Sequence, residues 1–184
     1  MYLSRNRRQG KLSMNETRVL IRLLEQRDIQ EISTAFKTLG WDKPAAQYES
    51  YYKEQANRVR DVYVAFLEEE FAGYLTICWT SGYGPFREDN IPEIVDFNVL
   101  PKYRRQGIGT LLMKKAENEI AKVSPVAGIG VGMDPDYGAA QRLYVSRGYI
   151  PDGRGLYYRG HHPACGEKIT MSDDLALYLT KRLK

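Results

Sequence analysis

A glycine turn flanked by arginines is the first feature of this sequence that could do chemistry: Arg104, Arg105, Gln106, Gly107, Ile108, Gly109 and Thr110. The patterns on either side predict a strand before this turn and a helix after it. The first amides of a helix have no partner within it, and they carry the positive end of the helix dipole. Glycine lets such a backbone approach a ligand closely, and arginine adds charge. We therefore expect a phosphate-binding turn, although a Gly-x-Gly pair alone also suits an ordinary tight turn.

Two common phosphate-binding motifs do not fit this turn. A P-loop separates its two glycines by four residues and continues with Lys and Ser or Thr, and Gly107 and Gly109 are too close for that. A dinucleotide-binding fingerprint needs a third glycine or alanine, and Leu112 occupies that position. A phosphate bound at this turn would therefore not be held by either of these two motifs.

The elements that position this turn alternate between strand and helix patterns. Apolar or alternating runs predict strands at 18–24, 59–67, 71–79, 91–100, 126–131 and 175–179. Apolar residues at helical spacing predict helices at 28–39, 43–57, 107–122 and 135–147. Segment 153–166 shows neither period and is expected to be an irregular loop. The order strand, two helices, three strands, helix, strand, helix, strand predicts a mixed α/β domain.

The basic residues are unevenly distributed along the chain. Its 184 residues include 27 Lys and Arg against 23 Asp and Glu, a formal net charge of +4. Four of the basic residues and none of the acidic ones lie in 1–13, so 14–184 is neutral. We expect 1–13 to be a disordered basic leader and 14–184 to be a single domain. A contact of 1–13 with nucleic acid or a membrane surface is the alternative. That domain should have no basic face for nucleic acid.

The composition also indicates the cellular compartment and whether a metal is bound. The chain has no run of about 18 apolar residues, and its start lacks the apolar stretch of a signal peptide, so no membrane partner is expected. Cys78 and Cys165 do not form a disulfide framework, which favours reduced thiols in the cytoplasm. His161 and His162 lie near Cys165 without a second ligand pair, so we expect no metal.

Two segments together resemble the signatures of the GNAT superfamily of N-acetyltransferases. The first, from Val99 to Gly109, reads VLPKYRRQGIG and matches the pattern of Arg or Gln, two residues, Gly, one residue, and Gly or Ala. The second, from Ala140 to Tyr149, reads AQRLYVSRGY and has the Ala, the Leu-Tyr pair and the Gly-Tyr of the family. They stand in the family's order and are separated by one strand, so the match is specific.

The resemblance implies an acetyl-CoA-dependent enzyme with a GNAT-like mixed sheet, in which two central parallel strands splay apart. Those strands would be 93–99 and 126–131, with the thioester in the gap between them. The glycine turn would hold the CoA pyrophosphate, and the first strand would pair with pantetheine. Tyr137 stands where the family often has Asn, and would replace that cofactor contact or only pack. The implied cofactor-binding residues are Phe97, Asn98, Val99, Arg104, Arg105, Gln106, Gly107, Ile108, Gly109, Thr110 and Tyr137.

Three residues are implied as catalytic. Tyr144, in the second signature, would protonate the departing CoA thiolate, because a phenol and a thiol have comparable basicity. A tyrosine in the core is the alternative. Glu93 and Asp96 stand where different branches of the superfamily carry an acid, and either could be the base. A regular strand would point them to opposite faces, so at most one would face the substrate unless a bulge intervenes. A structural hydrogen bond or ion pair is the alternative for both.

The expected function is transfer of an acetyl group from acetyl-CoA to a primary amine by direct attack in a ternary complex. The acceptor is a small molecule or a peptide amine, and segments 39–52 and 80–92, which contain several aromatic residues, would face it. Transfer of a longer acyl chain is a second possibility. A catalytically silent module that binds acyl-CoA is the alternative from another class. An edge strand such as 175–179 could pair across a homodimer.

Overall fold

The computed structural model describes residues 19–183; the basic leader 1–13 lies outside the described residues. Its elements in chain order are β1 (Val19–Leu23), α1 (Ile29–Thr38), α2 (Ala45–Ala56), β2 (Arg60–Leu67), β3 (Glu70–Cys78), α3 (Gly84–Glu88), β4 (Glu93–Val99), α4 (Ile108–Ile120), β5 (Val126–Gly132), α5 (Gly138–Ser146), β6 (Ile150–Tyr158) and β7 (Leu175–Arg182). Within 19–183, no helix has both the length and the apolar character needed to cross a membrane.

The seven strands form one sheet in the order β1-β2-β3-β4-β5-β7-β6. Neighbouring strands are antiparallel except for β4 and β5, which run parallel. β4 and β5 pair only at Glu93 with Gly128 and at Ile94 with Ile129. The rest of Glu93–Val99 and Val126–Gly132 is not hydrogen-bonded across this pair. A gap therefore opens between β4 and β5. The mixed sheet with splayed parallel strands confirms the predicted fold class.

Helices cover both faces of the sheet. On one face, the ring of Tyr74 in β3 lies 5.8 Å from Phe36 of α1 and 5.5 Å from Tyr48 of α2, between centroids. Tyr63 of β2 is the partner of the residue after Tyr74, so it points to the opposite face. There, Nζ of Lys115 in α4 lies 5.1 Å from its ring. The sheet is thus covered by α1 and α2 on one face and by α4 on the other.

Two expectations for the C-terminal part were wrong. Segment 153–166 is not wholly irregular, because β6 includes its first residues and pairs with β7. Pro151, Gly153 and Gly155 conceal this strand in the sequence, since such residues are typical of turns. The predicted strand 175–179 is not an edge either, because β7 lies between β5 and β6. Neighbours on both sides prevent β7 from pairing across a dimer; the edges of the sheet are β1 and β6.

Candidate active site

A β-bulge interrupts β4 beside the gap. The register between β3 and β4 shifts at Leu75, which alone faces Asp96 and Phe97. Asp96 has a left-handed backbone conformation, with φ of 52°. Aspartate is one of the few residue types found with some frequency in that region. The strand is therefore irregular at the position where the sequence placed a candidate base.

The bulge brings Glu93 and Asp96 to the same face of the sheet. Glu93 lies opposite Cys78 of β3, and residues directly opposite in an antiparallel pair share a face. Cys78 and Tyr74 are four positions apart on β3 and share that face too. Tyr74 donates a hydrogen bond from its hydroxyl to Asp96. Both acids thus face the side of α1 and α2, unlike the acids of a regular strand.

Five side chains donate hydrogen bonds to the carboxylate of Asp96, which we call the Asp96 cage. The donors are Lys43 Nζ at 2.5 Å and Asn98 Nδ2 at 2.8 Å to Oδ1, and Gln47 Nε2 at 2.9 Å, Tyr51 Oη at 3.0 Å and Tyr74 Oη at 2.5 Å to Oδ2. They come from the loop before α2, from α2, from β3 and from β4. Only 11% of the Asp96 side chain is exposed. The oxygen lone pairs of this carboxylate are therefore already engaged.

Glu93 lies in a drier environment with fewer partners. It is 7% exposed, and Oε2 accepts a hydrogen bond from Ser81 Oγ at 2.5 Å. The same Ser81 oxygen accepts from the backbone amide of Tyr83 at 2.9 Å, which orients the serine. Burial raises the pKa of Glu93, and the Ser81 hydrogen bond and the charge of Arg60 only partly oppose this. A base with a raised pKa is better matched to proton transfer near neutral pH.

Phe97, the second residue of the bulge, points to the other side of β4. Its Cζ atom would lie 3.1 Å from a Cβ atom at Gly109, so a larger residue there would crowd the Phe97 ring. The rings of Phe97 and Tyr144 have centroids 6.5 Å apart. The backbone of Asp96 and Phe97 therefore separates the two acids from the glycine turn and Tyr144.

Tyr144 combines a buried ring with an unsatisfied hydroxyl. The residue is 5% exposed, and burial raises the pKa of its phenol. No group within 19–183 forms a hydrogen bond with this hydroxyl. Unlike the hydroxyls of Tyr48 and Tyr149, it is not completely covered by protein. The Tyr144 hydroxyl is thus available to a ligand.

The glycine turn begins α4 as the sequence predicted. Gly107 is the N-cap and has φ of 85°, a conformation that favours glycine. The amides of the next three residues, 108–110, have no acceptor within the helix. Arg104 Nε and Gln106 Nε2 donate to backbone oxygens at 3.1 Å and brace the turn. Arg105 is exposed, and its side chain is not engaged by any other residue of 19–183. The turn therefore offers free amides and a free cation.

The other cofactor-binding candidates differ in their surroundings. Val99 and Asn98 lie on β4 beside the gap, but the Asn98 side chain belongs to the Asp96 cage. Tyr137 lies flat against Gly132, where a Cβ atom would be 2.4 Å from its ring, and its hydroxyl donates to Asp173 at 3.1 Å. Burial raises the pKa of Tyr137 to about 12. These contacts account for Tyr137 without a ligand, so its cofactor contact stays a prediction.

Sequence reasoning did not identify Lys43, Gln47 or Ser81. Lys43 is 53 positions from Asp96, and no spacing rule joins residues that far apart. Tyr51 lies in the segment expected to face the acceptor, and its hydroxyl does reach Asp96. By contrast, the segment 80–92 places Tyr83 in a stack with Tyr178 of β7, 3.7 Å between centroids. Only part of the expected aromatic lining therefore meets the acids.

The histidines and the nearby cysteine have separate partners. His161 pairs with Glu167 at 2.8 Å, and His162 contacts the backbone oxygen of Leu156 at 2.9 Å. Cys165 is an exposed free thiol. Across residues 19–183, no three side chains of metal-binding type come close enough to share an ion.

A model of the acetyltransferase (GNAT) family matches residues 27–149, more than half of the chain and both signature segments. The chain belongs to this family. An uncharacterized N-acetyltransferase of Archaeoglobus fulgidus is 35% identical to this GNAT protein over 100 residues, which is 53% of this chain and 66% of that relative, slightly less than two thirds of its length.

Solved structures share the GNAT fold over nearly the whole chain. An acetyltransferase of the GNAT family from Streptococcus pneumoniae has a TM-score of 0.63 at 18% identity, covering 89% of this chain and 98% of that one. The protein yncA of Salmonella typhimurium, solved with its cofactor acetyl-CoA, has a TM-score of 0.65 at 15% identity, covering 90% and 94%. Family membership confirms the resemblance to the GNAT superfamily that the two signature segments predicted.

Proposed function

We propose that this protein transfers the acetyl group of acetyl-CoA to a primary amine, which attacks the thioester directly in a ternary complex. The observation that carries the proposal is the bulge at Asp96 and Phe97. Glu93 and Asp96 lie on one side of it, where an amine would be bound and deprotonated. Tyr144 lies beyond Phe97 on the other side, where a thiolate would be protonated. The gap between β4 and β5 gives the thioester a place between them.

The cofactor fits the residues that surround this gap. The free amides of 108–110 and the cation of Arg105 suit a pyrophosphate at a helix N-terminus. The edge of β4 along Asn98 and Val99 lacks a strand partner on the β5 side, so pantetheine could pair with it as an added strand. Pairing there would lead the thioester towards Phe97 and Tyr144.

The two acids are suited to different tasks. Glu93 has one hydrogen-bond donor and a pKa raised by burial, which are the properties of a general base. Asp96 already accepts five hydrogen bonds, one of them from an ammonium, which are the properties of a site that holds a cation. We infer that Asp96 positions the protonated amine and that Glu93, directly or through water, removes the proton. An ammonium must lose a proton before attack because it has no free lone pair.

The surroundings of the cysteines favour direct attack over an acyl-cysteine intermediate. Cys78 lies on β3 opposite Glu93, and burial raises the pKa of its thiol to about 11. Because the thiolate is the reactive form, such a thiol is a weak nucleophile at neutral pH. Cys165 lies outside the site, between β6 and β7. The amine itself is therefore the nucleophile in our proposal.

The acceptor class and the cellular compartment can be proposed from the same residues. An acidic pocket for a single ammonium would accept a small amine or an accessible peptide amine, and both belong to the proposal. Free thiols at Cys78 and Cys165 suit a reducing compartment, so we propose the cytoplasm.

The proposal is tested by incubating the full chain with acetyl-CoA and pools of small amines and amine-bearing peptides. Mass spectrometry should reveal acetylated amines, and released CoA thiol should appear in equal amount. Calorimetry in parallel measures acetyl-CoA binding. Binding without transfer to any amine would contradict the enzymatic proposal and favour a silent acyl-CoA-binding module.

A further inference from the structure

A primary amine of the chain itself occupies the Asp96 cage. Nζ of Lys43 lies 2.5 Å from Oδ1 of Asp96 and 5.9 Å from the ring centroid of Tyr74. Lys43 precedes α2, and 21% of its side chain is exposed. The pocket that would bind an acceptor ammonium is therefore filled from the loop between α1 and α2.

The remaining members of the cage suit an alkylammonium group. Gln47 and Asn98 each donate to one oxygen of Asp96 and fix the orientation of the carboxylate. Tyr51 and Tyr74 hold it through their hydroxyls and add aromatic surface, which attracts an ammonium. A charge-assisted hydrogen bond then holds the amine at a defined position. Lys43 shows that an unbranched alkyl chain with a terminal amine fits this pocket.

The pocket adjoins the gap in the sheet. Asp96 follows Ile94, the last β4 residue that pairs with β5, by two positions. Phe97, the next residue, contacts the glycine turn and lies beside Tyr144. The amine of Lys43 and the phenol of Tyr144 thus approach the same two residues of β4 from opposite sides. A thioester in the gap would lie between the nucleophile and the acid.

We propose that Lys43 is a modification site, which the protein acetylates on Nζ in cis when acetyl-CoA is bound and no other amine is present. This inference rests on the proposed function, because it uses the same acetyl donor. Asp96 holds the ammonium of Lys43, which first loses a proton to Glu93, directly or through water, as in the proposed function. The nitrogen then attacks the thioester carbonyl, so that a C–N bond forms and the C–S bond breaks.

The acetylation of Lys43 needs no reactant other than acetyl-CoA. The nitrogen gives up a second proton to solvent as the amide forms, the thiolate takes a proton from Tyr144, and Tyr144 regains one from solvent. The proton on Glu93 also passes to solvent, so one proton is released overall. The products are acetyl-Lys43 and CoA thiol. Because acetyl-lysine carries no charge, Asp96 loses its ion pair. The modification would therefore change the acceptor pocket itself.

The test uses purified full-length protein and acetyl-CoA, without any added amine. Peptide mapping by mass spectrometry follows acetylation at Lys43 and at two exposed helical lysines, Lys37 and Lys53, which report background chemical acetylation. Because a bound amine reacts as an intramolecular group, we expect Lys43 to be acetylated at least about tenfold faster than either control. The rate should fall in Tyr144→Phe and should not depend on protein concentration.

Mixing two variants separates reaction in cis from reaction in trans. Tyr144→Phe retains Lys43 but is a poor catalyst, whereas Lys43→Ala lacks the acceptor lysine and leaves the pocket open; its transfer to an added amine is measured first. Acetylation of the Tyr144→Phe chain by Lys43→Ala at the wild-type rate would overturn the proposal. Equal rates at all three lysines, or an unmodified Lys43 in protein that acetylates added amines, would overturn it and leave the proposed function intact. Failure to bind acetyl-CoA would overturn both.

Discussion

Ser81 donates a hydrogen bond to Glu93 over 2.5 Å, and both side chains are almost entirely buried. The bond stabilises the charged form of Glu93 against the burial that raises its pKa. Ser81 therefore helps to set the pKa of Glu93, the base in our proposal.

Ser81→Ala should shift the pH dependence of the enzyme. A base acts in its deprotonated form, so the rate rises with pH as Glu93 ionises. Loss of the hydrogen bond raises the pKa of Glu93 further, and the acidic limb of the profile of kcat against pH should move to higher pH. Thr80→Ala is the control, because Thr80 is adjacent and exposed. Superimposable profiles for wild type and Ser81→Ala would show that Glu93 is not the titrating base.

The two acids should respond differently to neutral substitution. Glu93→Gln should lower kcat by about 10²–10⁴-fold, the usual contribution of a general base. Asp96→Asn should chiefly raise KM for the amine, because it removes the charge that holds the ammonium. Steady-state kinetics with one identified acceptor checks both. The reverse pattern would exchange the two assignments.

Tyr144→Phe should reduce turnover by about 10²-fold while thermal stability changes little, because the substitution removes an acid and leaves the ring packing intact. Tyr149→Phe is a matched control: Tyr149 is also buried, and its ring lies 6.2 Å from that of Tyr144. Full activity of Tyr144→Phe would show that Tyr144 only packs in the core and is not the acid.

The glycine turn can be tested through one backbone amide. Thr110 is exposed in the first turn of α4, so Thr110→Pro removes an N–H group there, whereas Thr110→Ala keeps it. We expect acetyl-CoA affinity to fall about tenfold in Thr110→Pro, about 1.4 kcal/mol, and to be nearly unchanged in Thr110→Ala. Calorimetry measures the affinity, and circular dichroism checks the fold. Equal affinities would place the pyrophosphate elsewhere.

A buried ion-pair network should make stability sensitive to acid. Glu117 of α4 accepts hydrogen bonds from Arg147 at 2.6 Å and from Lys181 of β7 at 2.8 Å. Burial would raise the pKa of Glu117, but these two cations outweigh it and lower the pKa. A lowered folded-state pKa stabilises the fold above the unfolded pKa, and this contribution is lost as pH falls through the folded pKa.

Glu117→Gln should therefore cost about 3 kcal/mol of unfolding free energy at neutral pH, because it leaves two cations poorly paired. The difference from wild type should shrink in acid. Glu119→Gln, in the same helix but paired with two more exposed lysines, should cost much less. Urea denaturation at several pH values measures both; equal losses would show that the network adds no more than a surface pair.

The sequence by itself determined the family, the order of most elements and the glycine turn of α4. These features depend on local patterns: the spacing of apolar residues, a glycine at a helix start, and two short signatures. β6 was not predicted, because Pro151, Gly153 and Gly155 interrupt its strand pattern. β7 was wrongly predicted to be an edge strand, because strand order depends on packing.

Only the tertiary structure decided how the candidate residues face one another. Side-chain alternation alone would place Glu93 and Asp96 on opposite faces of β4. The bulge that places them on the same face exists only when β4 pairs with β3. The cage around Asp96 joins Lys43 and Gln47 to a strand about fifty positions away, through the packing of α2 on the sheet. Such contacts follow from how elements pack, and packing depends on the whole chain rather than on neighbouring residues.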